Sequence, residues 1–89
     1  MKVAFHSKFH KDLDKLKNAS TKKAVEELII ALEQVKILKD VVGLKKMKGA
    51  SDAYRIRLGD YRVCFFFENQ TINLARVLPR KDVYKYFPK

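Results

Sequence analysis

All five arginines of the chain lie between Arg55 and Arg80, where basic and apolar residues alternate on both sides of Gly59-Asp60. That dipeptide suits a two-residue hairpin loop, which sets Arg57 directly opposite Arg62. Like charges in that position destabilise a sheet by a few tenths of a kcal/mol up to about 1. Folding alone does not require such an arrangement. The sequence therefore predicts that a cluster of guanidinium groups binds a polyanion, most simply through its phosphates.

The same loop fixes the register of both strands. It pairs Leu58 with Tyr61, Ile56 with Val63 and Arg55 with Cys64, so apolar residues share one face and arginines the other. The predicted core face holds Tyr54, Ile56, Leu58, Tyr61, Val63 and Phe65. We expect Arg62 and Arg80 to face solvent on a formed sheet, so that replacing either leaves the fold intact.

The charge distribution supports a polyanionic partner. Residues 1–35 carry seven lysines against five acids, whereas residues 36–89 carry thirteen basic residues against five acids, within a net charge of +10. Clustered basic residues and a pI near 9.9 are typical of nucleic-acid binding. An amphipathic membrane helix is disfavoured, because the basic residues concentrate on the predicted sheet instead of one helix face.

Length and composition indicate one domain, residues 1–89, with a single modest core. No apolar run approaches the roughly 20 residues of a spanning helix, and the first residues lack the apolar stretch of a secretory signal. We therefore expect a cytoplasmic protein with no membrane partner. Cys64 is the single cysteine and cannot form an internal disulfide. No cluster of ligating residues has metal-site spacing, so neither a metal nor a small-molecule cofactor is expected.

Hydrophobic periodicity predicts a strand at Val3 and Phe5, then two helices, then a meander of strands. We expect Ser7 to cap the first helix, and Ser20 or Thr21 to cap the second. The later elements are a loop or partial strand at 43–52 and strands at 53–58, 61–68 and 71–78. A two-residue loop at 69–70 would place Arg76 on the core face, which predicts a bulge, a longer loop or an exposed strand end.

Several motifs, in this order, resemble the RelE/ParE superfamily of bacterial type II toxin–antitoxin toxins. They are Lys48-Gly49, Tyr54-Arg55-Ile56-Arg57, Gly59-Asp60-Tyr61-Arg62-Val63 and Val77-Leu78-Pro79-Arg80-Lys81-Asp82-Val83-Tyr84. The resemblance implies an α+β fold in which an N-terminal strand and a two-helix hairpin pack on a twisted antiparallel β-sheet with a short C-terminal tail. RelE-like members cut messenger RNA in the ribosomal A site, whereas ParE-like members inhibit DNA gyrase without hydrolysing nucleic acid.

The basic positions favour the ribonuclease branch, and the resemblance implies catalytic roles for Arg57, Arg62, Arg80 and Tyr84. Arg62 matches the arginine that stabilises the transition-state phosphate, and Arg80 matches the one that protonates or stabilises the leaving group. Tyr84 matches the tyrosine that orients the nucleotide. Arg55 and Arg57 stand where well-known members carry lysines, one of them the proposed base. Because arginine does not ordinarily deprotonate, Arg57 is suited to clamping phosphate and poorly suited to accepting a proton.

The base therefore stays open among Tyr84, Lys81, Lys85 and Lys48, or a mechanism assisted by the ribosome or by the phosphate itself. Other residues are predicted to contact RNA: Lys45, Lys46, Lys48, Arg55, Lys81, Lys85 and Tyr86. The implied partners are a cognate antitoxin with an acidic or amphipathic segment, the ribosome and its messenger RNA. Two further functions stay open, a non-catalytic gyrase inhibitor that uses its helical hairpin and an inactive module that binds RNA or a partner.

Overall fold

The computed structural model describes residues 1–88, and it has the predicted α+β architecture. Its helices and strands are, in chain order, β1 (Lys2–Phe5), α1 (Ser7–Lys15), α2 (Ala19–Gln34), β2 (Leu44–Lys46), β3 (Ala53–Leu58), β4 (Tyr61–Glu68), β5 (Thr71–Pro79) and α3 (Val83–Tyr86). Two single 3-10 turns lie at Leu38–Asp40 and Arg80–Asp82. Within the described residues, no helix combines the length and the hydropathy needed to cross a bilayer.

The five strands form one mixed sheet in the order β1-β5-β4-β3-β2. β1 runs parallel to β5, while the other neighbours are antiparallel. The helical hairpin between β1 and the meander makes the parallel pairing sterically available, because a parallel connection needs a long crossover. The bounds of β3 and β4 are as predicted, and β5 extends one residue further, to Pro79.

Each face of the sheet carries its own apolar cluster. The predicted core face packs on α1 and α2, and the buried residues of the resulting cluster include Phe9, Val25, Leu32, Ile56, Val63, Phe65, Ile72 and Leu74. The opposite face holds a smaller cluster of Met47, Ala53, Cys64, Ala75, Leu78, Val83 and Phe87. The C-terminal segment therefore folds back onto the sheet, with Val83 and Phe87 as its two buried anchors.

The helix caps differ from those predicted. α1 begins at Ser7 itself, after His6, and no side chain caps it. The cap of α2 is Asn18, whose side-chain oxygen accepts hydrogen bonds from the backbone N–H groups of Ser20 at 2.9 Å and Thr21 at 3.2 Å. The expected caps were therefore wrong. Asparagine is among the strongest N-cap residues, and it accepts from the N–H groups two and three positions later.

A bulge in β5 resolves the position of Arg76. The loop at Asn69 and Gln70 does have two residues, both with positive φ. The register then shifts, since Cys64 pairs with Arg76 but Phe65 pairs with Leu74. The extra residue, Ala75, turns Arg76 off the core face and onto the side of the sheet that carries Arg55 and Cys64. Of the three predicted alternatives, the bulge is the one found.

Candidate nucleic-acid interface

Three arginines and one lysine surround a single cavity beside the β3–β4 hairpin. The register places Arg57 opposite Arg62, as predicted, and Lys45 of β2 opposite Arg55. The four side chains line a cavity of about 320 Å³ together with Gly43 and Leu44, a volume in the range of small-ligand sites. Within residues 1–88 the one salt bridge joins Arg76 to Asp12. The cavity arginines are therefore close together with no carboxylate partner.

Arg62 is the most enclosed of these cations, and the expectation that it faces solvent was wrong. It exposes only 7% of its surface, because β4 is central and Arg62 is flanked by Arg57 on one neighbouring strand and Leu78 on the other. Its Nη1 donates hydrogen bonds of 2.8 Å to the carbonyl oxygens of Gly59 and Tyr61. These bonds fix the guanidinium while the remaining N–H groups stay available.

The lowered pKa of Arg62 shows that the other arginines lie close to it. Burial lowers the pKa of Arg62, and the positive charges of Arg55, Arg57 and Arg80 lower it further, against a smaller opposing effect of Asp60. Four guanidinium groups therefore repel one another in the unliganded protein. An anion that enters between them would relieve this repulsion, and its binding stays a prediction.

Arg55 carries an unsatisfied donor. Its Nε is buried and has no hydrogen-bond acceptor among the described residues, although buried polar groups are almost always bonded. Its guanidinium carbon lies 5.8 Å from the centre of the Tyr84 ring, in a cation–π arrangement. Arg55 thus links the cavity to the C-terminal segment and retains the capacity to donate to a ligand.

The 3-10 turn after β5 brings Arg80 and Lys81 to the hairpin. The backbone N–H of Arg80 donates to the carbonyl oxygen of Asp60 at 2.9 Å, and both basic side chains are exposed. They line a neighbouring cleft with Asp60 and Pro79. Tyr84, one turn later, is 66% exposed and stands over Arg55. Arg80 and Tyr84 therefore border the arginine cavity, although they are distant from Arg62 in sequence.

Four other predicted RNA contacts lie outside the cavity. Lys46 pairs with Tyr54, and its Nζ lies 5.7 Å from that ring and 3.3 Å from the carbonyl oxygen of Ala50, on the core side of the edge strand. Lys48 lies in the following loop. Lys85 and Tyr86 contact each other, with the ammonium 5.5 Å from the ring centre, and Tyr86 lines a different cleft.

The sequence did not predict the contribution of Gly43 to the cavity, nor the position of Lys45 within it. Lys45 was predicted only to bind RNA, yet among the lysines of residues 1–88 it alone lines the arginine cavity, whereas the proposed bases Lys48, Lys81 and Lys85 do not. Gly43 forms part of the wall, and its carbonyl oxygen accepts from the N–H of Arg57 at 3.1 Å. Its φ of +79° favours glycine. The alternation of β2 was too short to predict either placement.

Similarity to known proteins decides the family. Residues 3–84 match the sequence profile of the family described as the ParE toxin of type II toxin–antitoxin system, parDE. The chain belongs to this family. The toxin is also 38% identical to the toxin RelE3 of Methanocaldococcus jannaschii over 89 residues, which cover 99% of this chain and 100% of that protein. This relative is archaeal, so the expectation of a bacterial source gains no support.

Solved structures confirm the fold of the toxin. It superposes with a TM-score of 0.80 on a chain of the RelB-RelE antitoxin-toxin complex from Methanococcus jannaschii, at 34% identity, covering 96% of this chain and 99% of that one. The RelE-RelB complex from Pyrococcus horikoshii OT3 gives a TM-score of 0.72 at 27% identity, covering 92% and 97%. The toxin is thus a RelE-like member of the type II toxin–antitoxin systems. Within residues 1–88, no three His, Cys, Asp or Glu side chains are grouped to hold a metal ion.

Proposed function

We propose that this toxin is an endoribonuclease that cleaves messenger RNA in the ribosomal A site and so inhibits translation in the cytoplasm. The observation that carries the proposal is the group of guanidinium groups around one cavity, free of ion pairs within residues 1–88 and mutually repulsive. A phosphodiester is the anion in RNA that such a cluster would bind, and the charge that grows on it during cleavage would be bound more tightly still.

The proposed reaction is attack of a ribose 2′-hydroxyl on the adjacent phosphate. The new O–P bond forms as the bond to the 5′-oxygen breaks. The 2′-hydroxyl gives up its proton to a base and the departing 5′-oxygen takes a proton from water, which leaves a 2′,3′-cyclic phosphate and a free 5′-hydroxyl. Arg62 is proposed to stabilise the phosphorane, because its two carbonyl bonds hold it in place and its burial strengthens its electrostatic effect. Arg57 and Arg55 bind the neighbouring phosphate oxygens.

The C-terminal segment is proposed to supply the residues for the departing oxygen and for nucleotide orientation. Arg80 is exposed beside the hairpin, so that it stabilises the 5′-oxygen as negative charge develops there. Tyr84 is exposed and rests against Arg55, where its ring offers a stacking surface for a base. Lys81 lies in the cleft next to Arg80 and is proposed to contact the RNA backbone, as is Lys48 in its loop.

Lys45 is proposed as the group that removes the proton from the 2′-hydroxyl. Arginine stays protonated, so neither Arg55 nor Arg57 is suited to this step, whereas the amine of a lysine exchanges a proton in an active site. Lys45 lies next to Arg55 on the exposed edge strand and opens into the same cavity. This placement distinguishes it from Lys48, Lys81 and Lys85.

A cognate antitoxin is the proposed protein partner. The two archaeal structures described above are antitoxin–toxin complexes, and the basic face of this toxin would attract an acidic or amphipathic segment. The ribosome and messenger RNA complete the proposed set of partners, since the cavity is open to the long backbone of a nucleic acid.

The deciding experiment is primer extension on cellular messages after inducible expression of the toxin. We expect cuts at A-site positions with the wild type, their loss with Arg80→Ala, and wild-type cuts with Lys22→Ala, which removes an exposed cation of α2. Intact messages during growth arrest by the wild type would overturn the proposal.

Gyrase inhibition is the second candidate, because the matching family profile is that of a ParE toxin. It predicts inhibited supercoiling in a gyrase assay with purified toxin, intact messages in the same cells, and little effect of Arg80→Ala. The two candidates therefore give opposite results in both assays.

A further inference from the structure

The C-terminal segment, residues 80–87, depends on tertiary contacts for its position. α3 is a single turn of four residues, far below the length at which an isolated helix is stable. Val83 and Phe87 anchor the segment in the smaller apolar cluster, and Phe87 contacts Phe66 with ring centres 5.0 Å apart. These contacts hold one side of the segment down, but Tyr84 and Tyr86 project from its other sides.

Tyr86 of α3 contacts a charged pair formed by Arg76 of β5 and Asp12 of α1. The guanidinium carbon of Arg76 lies 5.6 Å from the centre of the Tyr86 ring. Two hydrogen bonds then connect Arg76 to the carboxylate of Asp12 in α1, Nε to Oδ2 at 2.7 Å and Nη2 to Oδ1 at 3.1 Å. This bonding raises the pKa of Arg76, which is the opposite of the effect on Arg62.

Asp12 bonds to β5 at a point where β1 no longer pairs with that strand. β1 pairs with β5 only as far as Leu74, so the next part of β5 has lost its strand neighbour. The N–H of Val77 instead donates to Oδ2 of Asp12 at 3.0 Å. Asp12 is thus 8% exposed and satisfied by backbone and guanidinium together, and the bulge at Ala75 is what brings Arg76 to it.

Tyr84 and Tyr86 lie on opposite sides of the same helical turn. Residues two apart in a helix point about 200° from each other, and Tyr84 indeed faces Arg55 while Tyr86 faces Arg76. Rotation of α3 about its axis would break both contacts. We propose that Asp12, Arg76 and Tyr86 form a clasp, a set of positioning residues that fixes the rotation of α3 and thereby holds Tyr84 and Arg80 at the arginine cavity.

The catalytic consequence of the clasp rests on the proposed ribonuclease function, whereas its structural consequence does not. The test therefore pairs two measurements on the full-length toxin. Amide hydrogen exchange follows residues 80–87, with residues 61–68 as the internal reference. Cleavage of messenger RNA on programmed ribosomes gives kcat and KM.

Tyr86→Leu removes the ring and Tyr86→Phe keeps it. For Tyr86→Leu we expect exchange of residues 80–87 to rise roughly two- to fivefold, the range of an exposed cation–π contact. We expect kcat to fall by up to the same two- to fivefold with little change in KM, because the fraction of toxin with Arg80 and Tyr84 in place falls by no more than the lost contact contributed. Tyr86→Phe should leave the exchange of residues 80–87 as in the wild type, and adding Tyr86→Leu to Arg76→Gln should raise that exchange no further than Arg76→Gln alone.

Each outcome decides the proposal. Unchanged exchange of residues 80–87 in Tyr86→Leu, or faster exchange that extends equally to residues 61–68, would overturn the clasp. Additive effects of Arg76→Gln and Tyr86→Leu would overturn it as well. If the wild type cleaves no RNA, the ribonuclease proposal fails, and the exchange data still support or refute the clasp.

Discussion

Arg57 and Arg62 lie directly opposite each other on the β3–β4 hairpin, yet only one of them is fixed. Arg62 is buried and bonded to two carbonyl oxygens, whereas Arg57 is exposed and its backbone alone is tied to the cavity wall. The pair therefore combines a rigid cation with an adaptable one. Their mutual repulsion is a stability cost in the free protein, as expected if the pair binds the proposed RNA phosphate.

The first prediction follows from this repulsion. Arg57→Gln should raise the free energy of unfolding by a few tenths to about 1 kcal/mol in low salt, since it removes a like charge opposite Arg62. Urea denaturation measures the change, and Arg57→Lys, which keeps the charge, is the matched control. The gain should shrink in 1 M salt, where the Debye length is about 3 Å. A destabilised Arg57→Gln in low salt would contradict the proposed strain.

The second prediction concerns the proposed base. Lys45→Arg keeps a hydrogen-bond donor of similar reach in the cavity, so RNA affinity should persist while kcat falls by roughly a hundredfold or more, as expected for loss of a proton acceptor. Lys45→Met should lower both affinity and kcat. Ribosome-dependent cleavage separates these effects, and Lys46→Arg on the other side of the edge strand is the control. If Lys45→Arg keeps the wild-type kcat, Lys45 is not the base, and the mechanism is electrostatic with no lysine base.

The elements fixed by local rules were predictable from the sequence. A two-residue loop at Gly59-Asp60 allows one register, so the pairing of Arg57 with Arg62 followed directly, and the alternation that placed the core face required no long-range information. The predicted cap of α2 was wrong because several residues near Asn18 can fill that role, and Asn18 lies only two or three positions before Ser20 and Thr21.

The tertiary placements were beyond sequence reasoning. The burial of Arg62 depends on neighbours from two other strands, and the approach of Arg80 and Tyr84 depends on how the segment after Pro79 folds back. The clasp joins Asp12 and Arg76 across 64 positions of sequence, and it needs both the short β1 and the bulge at Ala75. Sequence periodicity reports local structure and does not predict contacts between such distant segments. The roles of the site residues stay predictions until variants are measured.

The third prediction concerns Cys64, which is fully buried. Burial raises the pKa of its thiol to about 12, so the reactive thiolate is scarce in the folded toxin. Iodoacetamide at pH 8 should leave the native protein unmodified and alkylate it rapidly in urea. Rapid alkylation under native conditions would show that this part of the sheet opens.

The raised pKa of Cys64 also predicts that the free energy of unfolding falls at alkaline pH. The folded state keeps a proton on Cys64 that the unfolded state releases, so its stabilising contribution is complete below the ordinary thiol pKa and declines as pH rises towards 12. The stability difference between the wild type and Cys64→Ala should therefore narrow by about 1.4 kcal/mol per pH unit in that window. A constant difference from pH 7 to pH 10.5 would contradict the burial effect.

The last prediction concerns the loop between β4 and β5, where Asn69 and Gln70 have φ angles of +51° and +58°. Asparagine tolerates this left-handed backbone, whereas glutamine is strained by it, a cost of about 1–2 kcal/mol for most residues. Gln70→Gly restores the Asn-Gly pair favoured in two-residue hairpins. Because glycine also gains entropy in the unfolded chain, the net increase in the free energy of unfolding should be about 0.5–1 kcal/mol.

Urea denaturation tests this increase, with Asn69→Gly as the control that should bring less. Toxicity and cleavage should not change in either variant, because the loop lies at the opposite end of β4 from Arg62. A lower stability of Gln70→Gly would mean that the Gln70 side chain stabilises the turn by more than its backbone strain. In that case the Gln70 side chain would help to fix the β4–β5 turn. It would thereby also help to fix the register of β5 and the bulge that directs Arg76 to Asp12.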